Sequence, residues 1–246
     1  MTLVVLSDIH ANIEAFNSVV NDLEKRVSDD YKICILGDVI NYGVNPNETI
    51  NTIKNLNKNG KVELILMGNH EKALFGEEDD RFSSKRGKDA LDITKSILTR
   101  ENLDYIKNYF SSTKIVKILN GKKCLFVHGS FEDNFWKSID ICDLNLNNYK
   151  EFDFIFSGHS HKPHFYEKYF DIENSIMKNK KKIIFINPGS IGQPRNHNPM
   201  AQYLTINLET EEISFCKVSY NIKKTQDKYN KYDIDSFYKD RLKFGL

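Results

Sequence analysis

Short continuous apolar runs at 3–6, 33–36 and 64–67 alternate with longer stretches, 11–26 and 46–57, whose apolar residues recur at helical spacing. Continuous apolar runs suit strands buried on both faces, so the chain is expected to open β-α-β-α-β around parallel strands. Asn45 and Asn47 flank Pro46, an N-cap candidate with a proline near the first turn of the second helix. The charged, glycine-containing stretch 75–88 is expected as a mobile surface loop. Helices then resume at 88–98 and 101–110, with Thr99 a capping candidate for the second.

The second half reads as strands at 115–119, 123–127, 154–157, 165–169, 182–187, 201–207 and 212–218, with Asn120-Gly121 forming a hairpin turn. A polar, tyrosine-rich C-terminal extension, 219–246, holds one candidate helix at 234–243. This order predicts an α/β fold: an open core with a second sheet packed on the first and helices outside. With no internal repeat and no Pro/Gly/Ser linker, 1–246 is expected to be one domain.

The 246 residues, 40% hydrophobic, are enough to bury a large core. The 35 basic and 34 acidic residues leave a formal charge of +1, which lacks the basic excess of a nucleic-acid-coating surface. Nucleic acid is therefore not an expected partner. Cys34, Cys124, Cys142 and Cys216 are far apart and show no Cys-x-x-Cys spacing, so reduced thiols are expected. The N-terminus has no basic n-region and no apolar run reaches membrane-spanning length, so a cytoplasmic location without a membrane partner is expected. The lysine-rich run 178–182 is read as a solvated turn.

Five polar signatures follow apolar runs: Ser7-Asp8-Ile9-His10, Gly37-Asp38, Gly68-Asn69-His70-Glu71, Val127-His128-Gly129 and Gly158-His159-Ser160-His161. Five of the seven histidines fall in these positions, and only His164 and His197 lie outside. Sites in open α/β sheets collect beyond the carboxyl ends of the strands, and a thiolate-free set of oxygen and nitrogen donors suits a first-row divalent ion. Asp8, His10, Asp38, Asn69, His128, His159 and His161 are too many donors for one four-coordinate ion, which points to a pair. His164 is read as packing, His197 as a solvated loop residue. Phe135 and Trp136 either line a pocket or close the core.

The ordered blocks Asp-x-His, Gly-Asp, Gly-Asn-His, His and Gly-His-x-His resemble the signature of the calcineurin-like metallophosphoesterase superfamily, in its small prokaryotic single-domain branch. The resemblance implies two packed mixed β-sheets flanked by helices, a four-layer α/β/β/α sandwich. It assigns Asp8, His10 and His161 to one metal ion, Asn69, His128 and His159 to another, and Asp38 as their bridge. His70 is implied as the general acid for the leaving group or as a transition-state hydrogen-bond donor, with Asn69 and Asp38 also at the reacting centre. The loop 187–195 also looks like that branch, and Arg195 within it could bind a substrate phosphate.

The implied activity is hydrolysis of a small phosphate ester by in-line attack of a metal-bridging hydroxide. A small-molecule or nucleotide phosphodiesterase is the first reading, with a phosphomonoesterase or a non-catalytic scaffold as alternatives. Manganese is the expected ion, with iron, zinc and nickel as the others the family uses. Relatives that dephosphorylate phosphoproteins carry Asp-Arg where this chain has Asn41-Tyr42, which argues against that substrate and against dinucleoside tetraphosphates.

Overall fold

A computed structural model describes residues 2–27, 30–77, 79–82, 84–142, 145–171 and 180–246. Strands β1 (Thr2–Leu6), β2 (Tyr31–Ile35) and β3 (Val62–Ile65) run parallel, with Val4 opposite Ile33 and Cys34 opposite Leu64. The strands β9 (Ala201–Asn207) and β10 (Glu212–Val218) add antiparallel to the other side of β1, giving the order β10-β9-β1-β2-β3. A second five-stranded sheet is built from β4 (Lys114–Leu119), β5 (Lys122–Val127), β6 (Phe154–Phe156), β7 (His164–Asp171) and β8 (Lys180–Asn187). Its order is β4-β5-β6-β8-β7, parallel in the middle and antiparallel at both flanks.

Alternation along β1 explains the continuous apolar run. Leu3 and Val5 face the second sheet, while Val4 and Leu6 face the helices. Between the sheets, Leu3, Val5, Cys34 and Leu64 meet Phe126, Phe154, Phe156 and Ile184, with Phe126 and Phe156 stacked at 4.9 Å. Burying each such side chain stabilises the sandwich by about 1.5–3 kcal/mol. The outer face of the first sheet is covered by α1 (Ile13–Arg26) and α2 (Pro46–Lys58). Asn12 caps α1 by accepting from the Ala15 amide at 3.2 Å, and Ile13, Phe16, Val19 and Leu23 form its buried stripe. Asn45 sits at the cap position of α2 but donates to Glu48 at 3.0 Å instead of capping a backbone amide. The outer face of the second sheet is covered by Ile139, Tyr149 and Phe152.

Helices α4 (Lys85–Ile97) and α5 (Arg100–Tyr109) follow, the latter capped by Thr99 at 3.3 Å as expected. Three features were not anticipated from the sequence. A six-residue helix, α3 (Asn69–Leu74), starts within the Gly-Asn-His-Glu block. The stretch 75–88 contains a 3-10 turn, Asp79–Arg81, and the first turn of α4. The C-terminal extension carries two helices, α6 (Ile222–Tyr229) and α7 (Ser236–Asp240), where one was expected. That extension folds back onto the body: Tyr229, Tyr238 and Leu242 pack on Val44 and Ala90, and Lys228 pairs with Glu14 at 2.7 Å.

Within the lysine-rich run, Lys178 and Asn179 lie outside the described residues. Lys180–Lys182 begin β8, where Lys182 pairs with Glu211 and Lys181 with Asp153. Cys34 and Cys124 are buried, Cys142 is exposed, and no disulfide joins them. Among the described residues, no helix is long and apolar enough to cross a membrane.

Candidate metal centre

The parallel strands of both sheets end on the same side, and the seven candidate donors project from the loops that follow β1, β2, β5 and β6 and from the start of α3. Ligand atoms of Asp8, His10, Asp38 and His161 lie within 4.8 Å of one another, as do those of Asp38, His128 and His159. Asp38 belongs to both groups. Asn69 joins the second: its Oδ1 is 3.0 Å from His128 Nε2 and 3.0 Å from His159 Nδ1. His164 and His197 belong to neither group; His164 instead tilts against Tyr166 with ring centroids 5.0 Å apart.

The four histidines are each anchored through the ring nitrogen that points away from the centre. Nδ1 of His10 donates to Ile40 O at 3.1 Å, His161 Nδ1 to Gln193 O at 2.6 Å, and His128 Nδ1 to Leu36 O at 2.7 Å. For His159 the anchor is Nε2, donating to Trp136 O at 3.0 Å. A neutral imidazole has one N–H, so in its neutral form each ring presents a lone pair on the inward nitrogen. The inward Nε2 atoms of His10 and His161 face each other at 3.2 Å.

The carboxylates are arranged the same way. Asp8 Oδ2 accepts from Ser7 Oγ at 2.6 Å and Asp38 Oδ1 from the His70 amide at 3.0 Å. Their other oxygens, Asp8 Oδ1 and Asp38 Oδ2, are buried without a hydrogen-bond partner. Asp8 Oδ1 is 3.2 Å from His161 Nε2, and Asp38 Oδ2 is 3.2 Å from His128 Nε2. Orphaned buried acceptors packed lone pair to lone pair are costly unless a cation sits among them. Donors around one ion at about 2.0–2.2 Å lie about 3–3.5 Å from one another, so the spacing fits divalent ions. The residues present therefore fit the metal that the motif implies.

Electrostatics agree for three of the four histidines. Burial drives His10 and His161 well below the ordinary imidazole range and His159 to about 4, leaving them neutral. Burial alone would lower His128 too, but Asp38 outweighs it and pushes that ring up to about 9. Asp38 would be raised by burial, yet His128 and His70 hold it well below the carboxylate range. Burial raises Asp8 to about 7.

Backbone strain accompanies the cluster. Asp8 (φ 54°), His10 (φ 48°), Asp38 (φ 52°), His159 (φ 63°) and His161 (φ 58°) are all left-handed, a conformation that costs a non-glycine residue about 1–3 kcal/mol. Cross-braces hold it: Asp8 N donates to Gly37 O at 3.2 Å and His10 N to Asp38 O at 3.0 Å. Glycine is required at 68, where a Cβ would collide with the Asp38 amide and carboxylate.

Glu71, which motif reading passed over, organises this loop. Its buried carboxylate accepts four backbone amides, from Asp38 (2.9 Å), Val39 (2.8 Å), Ile40 (3.1 Å) and Gly68 (2.9 Å). It straps the loop after β2 to the start of α3, so Asp38 and Asn69 face each other. Gln193 and Arg241 were also missed. The Gln193 carbonyl anchors His161, and its side chain accepts from Arg241 Nε at 2.6 Å. Only the buried polar pattern of the C-terminal fold shows this, because Arg241 is distant in sequence and solitary.

A cavity of about 410 Å³ opens over the cluster, lined by Asp38, Asn69, His70, His159, His161 and Arg195, with Tyr42, Arg81, Phe82 and Trp136 at its mouth. Arg195 lines the cavity with a buried Nε that has no partner, and His70 Nε2 lies 3.8 Å from Asp38 Oδ2. The Phe135 and Trp136 alternatives resolve by position: Trp136 lines the cavity, while Phe135 is buried under Lys72.

Residues 1–211 match the family model of the calcineurin-like phosphoesterase superfamily domain. The chain belongs to the calcineurin-like phosphoesterase superfamily. The chain is 34% identical over 249 residues to the uncharacterized protein MJ0912 of Methanocaldococcus jannaschii, covering 99% of this chain and 98% of that one. The fold matches a metallophosphoesterase from Sphaerobacter thermophilus with a TM-score of 0.78 at 25% identity, each chain fully covered. It also matches the hypothetical protein PH1004 from Pyrococcus horikoshii OT3, with a TM-score of 0.81 at 21% identity over 100% of this chain and 98% of the other. The two mixed five-stranded sheets with flanking helices are thus the superfamily's α/β sandwich.

Proposed function

We propose that the protein is a phosphohydrolase working with two divalent metal ions, manganese in preference to iron, zinc or nickel, on a small phosphodiester. The observation that carries this reading is the convergence of buried nitrogen and oxygen donors, two of them carboxylate oxygens without a hydrogen-bond partner, beneath a cavity that also holds Arg195 and His70. Asp8, His10, His161 and Asp38 would hold one ion, and Asp38, Asn69, His128 and His159 the other. Bound there, the ions would supply a water of lowered pKa and positive charge for the phosphate oxygens.

The remaining work falls to the chain's own groups. Arg195 offers charge-assisted hydrogen bonds to a phosphate oxygen. His70 presents a hydrogen-bond donor to the side from which the leaving group departs, where donor strength counts most as charge develops. Two cations line the cavity, and Arg81 is engaged by Asp133 at 2.8 Å. That leaves the Arg195 guanidinium to meet the phosphate.

Hydrolysis of bis-p-nitrophenyl phosphate by chelator-stripped protein, with manganese restored, tests this function. Metal-dependent turnover exceeding that of the p-nitrophenyl monoester is expected. A protein that binds the ions yet hydrolyses neither ester would be a scaffold instead.

A further inference from the structure

Tyr42 lines the cavity with its ring packed on the centre: it meets His10 at 4.6 Å, His70 edge to face at 4.5 Å, and stacks on Tyr238 at 4.4 Å. Phe82 adjoins the same His70 at 5.0 Å and packs in turn on Trp136 at 5.4 Å. Asn41 (φ 69°) and Tyr42 (φ 64°) are both left-handed, a strained state for non-glycine residues that persists only where the surroundings enforce it. Here they do. The Gly43 amide donates to His10 O at 3.1 Å, so close that a Cβ on Gly43 would strike that carbonyl, and Arg241 lies over the Tyr42 ring at 5.2 Å.

Arg195 reaches the same place from the second sheet. Its amide donates to His161 O at 3.2 Å, and its side chain is the hydrogen-bond neighbour of the Tyr42 hydroxyl. Its positive charge faces His10, His70 and His161, while its Nε is buried without a partner. The C-terminal extension holds both residues at once. Tyr238 and Arg241 cover Tyr42, and Arg241 also donates to Gln193 Oε1 at 2.6 Å, two residues before Arg195. Two residues after it, the His197 amide donates to Gly245 O at 2.8 Å. Tyr42 and Arg195 are therefore set against each other before any ligand arrives.

We propose that Tyr42 is a second phosphate-binding residue: its hydroxyl accepts from Arg195 and donates its own proton to a phosphate oxygen, so that phenol and guanidinium grip the ester as one clamp. The inference rests on the phosphohydrolase reading and adds a group to its site. A phenol has one proton and can also accept, so one that accepts from a guanidinium keeps its proton to give. Two donors on different elements fix the rotation of a phosphate as well as its position, which an in-line displacement requires. The hydroxyl bonds the phosphate in the bound ester and in the transition state alike, so its contribution is to affinity rather than to kcat.

Inorganic phosphate, titrated calorimetrically into the manganese-loaded protein, tests the clamp without any requirement for turnover. It is expected to bind about 10–100-fold more weakly to Tyr42→Phe, which keeps the ring packed on His10, His70 and Tyr238 and loses only the hydroxyl. Manganese binding by the variant is expected to match the parent's. With bis-p-nitrophenyl phosphate, KM should rise about as far as phosphate affinity falls, and kcat should change by less than about threefold. In an Arg195→Ala background, Tyr42→Phe should add less than about threefold, because the two groups act together. Equal phosphate affinity and KM in parent and Tyr42→Phe, a full Tyr42 effect without Arg195, or weakened manganese binding each overturns the clamp, and diester turnover alongside leaves the hydrolase standing. Phosphate binding that depends on Tyr42 without turnover of any ester supports the clamp and removes the hydrolase.

Discussion

Asn41 Nδ2 lies 2.8 Å from Nδ1 of His70, and this contact decides which ring nitrogen carries the proton. The amide cannot be reversed, because Asn41 Oδ1 accepts the Tyr42 amide at 2.6 Å. Nδ1 must therefore accept, so the proton sits on Nε2, facing the cavity. Burial drives His70 down to about 4, against the opposing pull of Asp38, so the ring is neutral at working pH. The geometry thus favours a neutral hydrogen-bond donor over an imidazolium acid. The aspartate found at this place in phosphoprotein phosphatases would do the opposite: accept from Nδ1–H and favour the cation.

Asn41→Asp is therefore expected to move the proton of neutral His70 to Nδ1 and to make the donor form the imidazolium. At pH 8 kcat should fall about 10–100-fold and recover towards acid pH, a limb the parent protein lacks. Parallel pH–rate profiles for the two proteins would refute the tautomer argument.

Removing metal should leave a folded but weaker protein. The cross-braces are backbone bonds, while Asp8 Oδ1 and Asp38 Oδ2 lose the charge that compensates them. Ions at a hundred times their dissociation constant stabilise by about 2.7 kcal/mol per site, so Tm should rise by roughly 10–20 °C on reloading both sites. Asp8→Asn should abolish about half of this gain, since Asp8 belongs to one of the two donor groups, read by calorimetry with and without chelator.

The metal-free protein also carries a pH signature. His128 has a folded pKa raised to about 9, so its contribution is complete below the ordinary value of 6.5 and is lost as pH rises through 9. The lowered histidines, including His10 and His161, stop contributing any slope above 6.5. Stability without metal should therefore decline between pH 7 and 9, and His128→Gln should flatten that decline in thermal melts.

Glu71→Gln replaces a carboxylate that accepts four amides with one that offers a single acceptor oxygen and two donors. A loss of about 1–3 kcal/mol for the unsatisfied amides is expected, together with about 10–100-fold weaker metal binding. Denaturant unfolding and metal titration separate the two effects. Unchanged metal affinity would mean that Asp38 and Asn69 hold their places without the strap.

Arg241→Ala should act at a distance on one half of the centre. It removes the donor to Gln193, whose carbonyl anchors His161, and uncovers the rings of Tyr42 and Tyr238. One of two metal-binding steps should weaken, by about 10–100-fold, with the other unchanged in calorimetric titration.

Local periodicity determined much of this protein. Strands buried on two faces produce continuous apolar runs, which is why β1 and β2 and their intervening helix were legible. The seven donors were legible because each follows such a run, one to five residues past a strand end, where parallel topology forces convergence. Helix α3 escaped because six residues are too few to show a 3.6-residue period, and α6 because its apolar stripe is sparse.

What only the tertiary structure decided are the pairings between distant segments: Asn41 with His70, Glu71 with the loop after β2, Arg241 with Gln193, and Phe82 with Trp136. Each is a single polar or aromatic residue with no repeating context, so nothing near it in the chain announces its partner. Periodicity records which face of an element is buried, whereas these contacts exist only after two sheets have closed and the C-terminal helices have folded over them.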